Sequence, residues 1–222
     1  MQQRIPEPEL MDGLEQARAY ANADFTEPHS LFMTLFRQFH PHVSVTNVLD
    51  LGCGPADISC RFAHAFPGCR IDAVDGAGAM LQQARERLRR EGLEQRIDLH
   101  QRYLPQDTLP AVSYDVIISN SLLHHLAAPQ TLWQCVRMAA QPGTALLIMD
   151  LLRPDSRQQA RDLVATYADG EPEVLRDDFY HSLLAAYTVP EIRAQLLAAG
   201  LDDFTVHQVS DRHWCVVGVM PG

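Results

Sequence analysis

The 222-residue chain contains no lysine, so all 18 of its basic residues are arginines. The absence of lysine excludes Schiff-base chemistry and a lysine-bound pyridoxal cofactor, because both need a side-chain amine. It also excludes a Walker-type phosphate loop, whose lysine belongs to the motif. With 28 acidic residues the formal net charge is −10. Such a chain lacks the basic surface that a nucleic-acid partner requires.

Long apolar runs and paired cysteines are also missing. No apolar run approaches the roughly 20 residues of a membrane span, and the first residues lack the basic start and apolar core of a secretion signal. We therefore expect a cytoplasmic protein with no membrane partner. The five cysteines show no CxxC spacing and are predicted to be small buried thiols rather than disulfide or zinc ligands.

Strand-like and helix-like segments alternate from residue 47 onward. This alternation predicts right-handed βαβ units and a parallel sheet with helices on both faces. The five strand-like segments are "SVTNVLDLG", "CRIDAVDG", "RIDLHQ", the start of "YDVIISNSLLHHL", and "TALLIMDLL".

We predict a single domain over residues 1–222. It comprises N-terminal lid helices at 1–45, a cofactor-binding core at 46–153, a helical insertion that extends the lid at 154–187, and a last helix with a C-terminal β-hairpin at 188–222. The lid helices and the helices of a dimer interface would have the same amphipathic pattern, so a monomer and a homodimer both stay open.

Distinctive residues follow the predicted strands, where ligands bind in parallel α/β sheets. Gly52 and Gly54 flank Cys53 in a turn that lets the backbone approach a ligand closely. Asp75 lies 25 residues beyond Asp50, at the end of the second strand, where a carboxylate can accept both hydroxyls of a ribose. The pattern indicates a nucleoside-bearing cofactor.

The residue after this turn helps to choose between cofactors. A dinucleotide-binding turn has a third small residue where this chain has Asp57. A carboxylate is poorly placed beside a pyrophosphate, whereas it suits a cofactor that carries an amino group and a sulfonium. We therefore favour S-adenosylmethionine over NAD.

Four segments occur in a characteristic order: "VLDLGCGPADIS", "DAVDGAGAML", "YDVIISNSLLHHL" and "PGTALLIMDLLRP". Together they resemble the class I S-adenosylmethionine-dependent methyltransferases, and most closely the ubiquinone/menaquinone-biosynthesis type of small-molecule methyltransferase. The resemblance implies an α/β, Rossmann-like, doubly wound sheet of seven strands, mostly parallel with an antiparallel last strand. It also implies S-adenosyl-L-methionine as cofactor, S-adenosyl-L-homocysteine as product and a small-molecule substrate.

The resemblance implies a role for individual residues. Asp50 and the turn Gly52–Cys53–Gly54 would hold the methionine part of the cofactor, and Asp75 the ribose hydroxyls. Where many relatives carry a Gly-Asp pair against the adenine, this chain has Arg102 and Tyr103, so backbone contacts or stacking on Tyr103 would replace it. The other implied contacts are Gly76 and Met80 at the adenine, and Asn120, Ser121 and Leu122 at the methionine end and the transferred methyl group.

Candidate residues for the acceptor come from the strand ends and the lid. His125, His124 and Tyr20 are candidates for catalysis, and Asp24, His29, Tyr180, His181 and Tyr187 are candidates for substrate binding. Each has an alternative. The adjacent histidines can cap or pack, the tyrosines can pack within the lid, and Asp150 can pair with Arg153 or act as a base.

No metal site is predicted, because "HPH" at 40–42 lacks an accompanying carboxylate cluster and is more typical of a surface turn. Two other functions stay open. One is an enzyme of this fold with another reaction or with a protein or RNA acceptor. The other is a non-catalytic cofactor-binding protein, which the presence of Asp75 and both glycines disfavours.

Overall fold

The computed structural model describes residues 3–7, 11–110 and 112–222. Their strands form one seven-stranded sheet. In chain order the strands are β1 (Asn47–Leu51), β2 (Arg70–Asp75), β3 (Ile97–Gln101), β4 (Val116–Asn120), β5 (Ala145–Leu151), β6 (Thr205–Gln208) and β7 (His213–Val219).

The spatial strand order is β3-β2-β1-β4-β5-β7-β6. β1 pairs in parallel with both β2 and β4, so the strand order reverses between β1 and β4 and opens a ligand-binding crevice there. β7 runs antiparallel to β5 and to β6. The predicted mostly parallel seven-stranded sheet with an antiparallel last strand is confirmed.

Helices cover both faces of this sheet. They are α1 (Leu14–Asn22), α2 (Thr26–Phe39), α3 (Asp57–Ala65), α4 (Gly78–Glu91), α5 (Gln130–Ala139), α6 (Arg157–Tyr167), α7 (Glu173–Ala185) and α8 (Val189–Ala199), with a short 3₁₀ turn at Leu123–His125.

Side-chain alternation along the strands divides the core into two layers. Ile118 of β4 packs with α2, α3 and α4, whereas its neighbour Ile117 packs with α5 and α8. Successive strand residues point to opposite faces, so an apolar pair at adjacent positions serves both layers. The sheet is therefore buried on both sides, and its strand ends are held rigidly.

The lid is formed by α6 and α7 of the insertion together with residues near the start of the chain. α6 and α7 pack against each other through Leu163, Leu183 and neighbouring side chains. Residues 3–7, which we call the N-terminal strap, run along the end of α7, where the Ile5 N–H donates to the Leu184 carbonyl at 3.0 Å. The guanidinium of Arg4 donates to the carbonyls of Ala185 and His124 at 2.6 and 2.9 Å.

Two smaller predictions have different outcomes. All five cysteines are buried free thiols, as expected. The interpretation of "HPH" as a surface turn is wrong for His40, which is buried with its Nε2 3.0 Å from the Leu146 carbonyl oxygen. Among the described residues, no helix has both the length and the apolar character to cross a membrane.

Candidate functional site

Two adjoining cavities lie beyond the carboxyl ends of β1, β2 and β4. The strand-end cleft, of about 240 Å³, is lined by the ends of these strands and by the turns that follow them. The lid cavity, of about 440 Å³, lies between α2, α6, α7 and the 3₁₀ turn. Tyr20, His29, Asn120, Ser121 and His125 line both, so the two cavities meet at these side chains.

The strand-end cleft brings together every residue that the resemblance assigned to the cofactor. The eleven residues lie on four separate segments of the chain, and all of them line the cleft: Asp50, Gly52, Cys53, Gly54, Asp75, Gly76, Met80, Tyr103, Asn120, Ser121 and Leu122. Their roles in binding stay predictions.

The turn after β1 depends on glycine for two different reasons. Gly52 has φ +72°, and a Cβ there would lie 2.8 Å from the Leu122 side chain. Gly54 has φ +52°, but a Cβ added to it would meet nothing within 4 Å, so only its backbone conformation demands glycine. The turn therefore offers open space beside a tightly packed wall.

Asp75 holds the two turns that border the cleft. Its Oδ2 accepts a hydrogen bond from the Gly54 N–H and its Oδ1 one from the Ala77 N–H, both at 2.8 Å. Each carboxylate oxygen keeps a further lone pair for a ligand hydroxyl. Burial raises the pKa of Asp75 above its usual value despite these hydrogen bonds.

Asp50 lies deeper, at the end of β1. Its Oδ2 accepts a 2.5 Å hydrogen bond from the Ser59 hydroxyl. Burial raises the pKa of Asp50 to about 7, the Ser59 hydrogen bond opposes the shift, and the nearby charge of Asp75 adds to it. A ligand cation at this position would favour the ionised carboxylate.

Asn120, the last residue of β4, contributes an unsatisfied polar atom at the junction of the cavities. Its Nδ2 donates to the Ser121 hydroxyl at 3.2 Å. Its Oδ1 is buried and has no hydrogen-bond partner within the described parts of the chain. A buried carbonyl oxygen without a donor is costly, so this atom indicates a ligand that donates a hydrogen bond.

Asp57 lines the cleft, and its charge is neutralised by the protein. It lies 2.6 Å from His29 Nδ1 and accepts from Arg61 Nε at 2.5 Å and Arg87 Nη1 at 2.8 Å. Burial alone would raise the pKa of Asp57, but His29, Arg61 and Arg87 hold it well below its usual range. Asp57 still lines the cleft, so the expectation that it faces a positive cofactor stays a prediction.

His124 lines the lid cavity and belongs to a buried network of titratable side chains. Its Nδ1 lies 2.5 Å from Asp150 Oδ1, and its Nε2 lies 3.5 Å from Glu7 Oε1. Burial alone would lower the pKa of His124, but the charge and hydrogen bond of Asp150 raise it above its usual value. The alternative that Asp150 pairs with Arg153 is wrong, since Arg153 donates to Glu191 at 2.8 Å.

His125 stands where the two cavities meet. Its Nδ1 lies 3.2 Å from Glu7 Oε1, and the Ser182 hydroxyl donates to the same carboxylate at 3.1 Å. Burial raises the pKa of Glu7 despite the opposing charge of His124. Potential ligand atoms of Glu7, His124 and His125 lie within 4.8 Å of one another, although His124 Nδ1 already lies 2.5 Å from the Asp150 carboxylate.

The remaining candidates separate into two groups. Asp24 and His29 line both cavities. Tyr180, His181 and Tyr187 are not among the lining residues of either cavity: Tyr180 packs on the α6–α7 cluster, His181 is exposed, and Tyr187 is buried in the core. The structure thus does not bring these three side chains to the cavities that the other candidates line.

Tyr20 lines both cavities and packs its ring against Phe25, with 4.7 Å between the ring centroids. Burial, together with the surrounding carboxylates, raises the pKa of Tyr20 well above its usual value. The phenol is therefore a weak acid in this site and stays protonated at neutral pH.

The far wall of the lid cavity comes from α6 and α7 of the predicted insertion and from the start of β7, and it includes Arg212 and His213, which no sequence motif marks. Arg212 places its guanidinium carbon 3.4 Å from the Tyr167 ring centroid and pairs with Glu27 and, at 3.2 Å, with Asp211. Burial and the neighbouring Arg212 lower the pKa of His213 to about 4, so this imidazole is neutral.

Comparisons with known proteins agree with this geometry. Residues 49–146 match the family model described as a methyltransferase domain. A trans-aconitate 2-methyltransferase of Paracidovorax citrulli is 34% identical over 119 residues, which are 54% of this chain and 43% of that protein. The chain thus spans less than half the length of this curated relative.

Solved structures show the same architecture over most of the chain. The apo form of the S-adenosylmethionine-dependent methyltransferase SibL has 25% identity and a TM-score of 0.64, covering 89% of this chain and 55% of that one. The plantazolicin methyltransferase BpumL, in complex with a pentazolic desmethylPZN analogue and SAH, has 13% identity and a TM-score of 0.70, covering 91% and 90%. The expected fold is confirmed, and residues 49–146 match a methyltransferase domain.

Proposed function

We propose that this protein transfers a methyl group from S-adenosylmethionine to a small molecule bound in the lid cavity. The observation that carries the proposal is that the strand-end cleft adjoins a larger cavity at Asn120, Ser121 and His125. S-adenosylmethionine supplies an electrophilic methyl group on a sulfonium. A cavity of about 440 Å³ beside that cleft has the size of a small-molecule site.

The residues of the cleft fit this cofactor. We assign Asp75 to the ribose hydroxyls, because its oxygens have free lone pairs at the end of β2. Asp50 and the open space at Gly54 suit the methionine part, and Asn120 Oδ1 lacks a donor that an ammonium group would supply. Gly76, Met80 and Tyr103 remain our assignments for the adenine.

Methyl transfer is an in-line displacement that needs alignment and exclusion of water more than acid–base chemistry. A base is needed only where the accepting atom carries a proton. We assign that role to His125, which lines both cavities beside the Glu7 carboxylate. His124 and Tyr20 then shape the cavity wall. Asp150 holds the His124 imidazole, and the Tyr20 phenol stays protonated.

In this proposal residues 1–222 work as one cytoplasmic domain, as a monomer or homodimer, without a nucleic-acid or membrane partner. The name of the Paracidovorax relative raises a small carboxylic acid as an acceptor, and the carboxylates that line the lid cavity argue against it here. The likeness to the ubiquinone/menaquinone-biosynthesis type stays a prediction about the acceptor.

Incubation with methyl-labelled S-adenosylmethionine tests the proposal. The purified protein receives either a low-molecular-weight bacterial extract or the protein and RNA of the same cells, and each fraction is counted. We expect label in the small-molecule fraction alone. Label in protein or RNA would favour the macromolecular alternative, and cofactor binding without any transfer would favour a non-catalytic protein.

A further inference from the structure

Carboxylates dominate the charged lining of the lid cavity. Of its described lining residues, four carry a carboxylate and one carries a guanidinium. Asp24 and Glu27 are exposed at the rim, Glu171 and Asp178 are half-buried, and Arg212 is the cation. The cavity is therefore electronegative before any partner of these groups is considered.

The charge of the single arginine is not available to a ligand. Arg212 is buried, forms ion pairs with Glu27 and Asp211, and lies flat over the Tyr167 ring. Two carboxylates and an aromatic face thus satisfy one guanidinium. An anionic ligand would have to compete with both carboxylates for it.

The four histidines that line the cavity offer no free positive charge either. His213 is neutral at physiological pH, since its pKa is lowered to about 4 by burial and by Arg212. Each of the other three lies within 3.2 Å of a carboxylate oxygen: His29 beside Asp57, His124 beside Asp150, and His125 beside Glu7.

Asp178 is the carboxylate best placed to meet a ligand. It projects from α7 and lines the cavity, and its Oδ2 accepts one hydrogen bond, from Gln16 Nε2 at 2.9 Å. Its charge also raises the pKa of Glu7, which places a second carboxylate nearby. Aromatic residues, including Phe25 and Phe179, line the same cavity and can contact a cation through their ring faces.

Resting on the proposed methyl transfer, we infer that the acceptor carries a positively charged nitrogen, which the Asp178 carboxylate anchors, and that anionic acceptors are excluded. A polycarboxylate such as trans-aconitate would lose its hydration here without gaining a free cation.

The charged nitrogen anchors the acceptor and is not the accepting atom, because a protonated amine has no lone pair. A lone pair on another atom of the acceptor forms the bond to the methyl carbon while the carbon–sulfur bond breaks. The electron pair of that bond stays on sulfur, which becomes a neutral thioether. A proton on the accepting atom passes to His125 or to solvent.

Charge-sorted acceptor pools test the inference. A low-molecular-weight bacterial extract is separated by ion exchange into cationic, neutral and anionic pools, and each is incubated with methyl-labelled S-adenosylmethionine and the full chain. We expect label in the cationic pool, and none on trans-aconitate supplied alone. Label in the neutral or anionic pool, or on trans-aconitate, would overturn the inference and leave the proposed methyl transfer standing. No label in any pool would overturn both.

A matched pair of variants tests the anchor. Asp177 is the exposed neighbour of Asp178 on α7, so Asp177→Asn removes the same charge without touching the cavity. We expect Asp178→Asn to raise the KM for the labelled cationic acceptor at least tenfold, with unchanged calorimetric affinity for S-adenosylhomocysteine. Asp177→Asn should behave as the parent protein. Equal KM values for the two variants would overturn the anchoring role.

Discussion

The buried carboxyl of Asp50 links cofactor binding to pH. Burial raises its pKa to about 7, so the side chain is about half protonated at neutral pH in the free protein. We assign Asp50 to the methionine part of S-adenosylmethionine, which carries an ammonium group and a sulfonium. An opposite charge nearby lowers a carboxyl pKa by about 1–3 units. Binding should therefore expel the proton.

The size of the effect follows from these pKa values. If binding lowers the pKa of Asp50 from about 7 to about 5 or 6, the affinity for S-adenosylmethionine should rise about three- to fivefold from pH 6 to pH 7. About half a proton should be released per binding event at pH 7. The ammonium of the ligand stays protonated in this range, since α-amino groups titrate near about 8.

Calorimetric titration in two buffers of different ionisation enthalpy measures both quantities. Asp50→Asn, a neutral isostere, should flatten the pH dependence and abolish the proton release. Without cofactor the parent protein should also lose stability as pH rises from about 4 to 7, because the pKa of Asp50 in the folded protein lies above the ordinary aspartate value of 3.8. Equal affinities at pH 6 and 7, or an unchanged slope in Asp50→Asn, would refute the reasoning.

Three further predictions concern the walls of the cleft. Asp75→Ala should weaken S-adenosylhomocysteine binding at least tenfold in calorimetry, since charge-assisted hydrogen bonds contribute about 1.5–3 kcal/mol. Asp98 is exposed, so Asp98→Ala should leave the affinity unchanged. Equal losses of affinity in the two variants would contradict the assignment of Asp75 to the ribose. Gly54→Ala should lower the free energy of unfolding by about 1–2 kcal/mol, because alanine disfavours the positive φ of this position. Gly52→Ala should lower it by at least about 1 kcal/mol more, because its Cβ would also clash with Leu122. Denaturant unfolding measures both values. Asp57→Asn leaves the Arg61 guanidinium without its carboxylate and Arg87 with Glu91 alone, at 3.7 Å, so the melting temperature should fall by roughly 5–15 °C, and an unchanged value would contradict this stabilising role of Asp57.

The cofactor side of the site was readable from the sequence because its signals are local. Apolar strands that end in Asp50 or Asp75 place these carboxylates at one edge of a parallel sheet, whatever the helices do. Gly52 and Gly54 mark the turn because few other residues tolerate their backbone angles. The strand-end carboxylates and the glycine turn can both be predicted without knowing which distant segments pack together.

The acceptor side depends on contacts between segments far apart in the chain. Glu7 contacts His125, which lies more than a hundred residues later in the sequence, and the residues around Glu7 give no sign of this contact. Amphipathic periodicity predicts that α7 exists but not which of its polar side chains faces a cavity, so Tyr180 and His181 were expected there and Asp178 was not. His40 was expected at a surface turn for the same reason, because the sequence around it does not show that its imidazole reaches the Leu146 carbonyl of β5.

The two cavities draw their walls from different parts of the chain, and this division has a consequence for how such enzymes diversify. The strand-end cleft is lined largely by turns that continue the central strands. Much of the lid cavity comes from α1, α2, α6 and α7 and the residues between them. Under the proposed methyl transfer, substitutions in those helices should change the acceptor while the strand-end cleft stays intact. An exchange of α6 and α7 between relatives should then change the acceptor specificity.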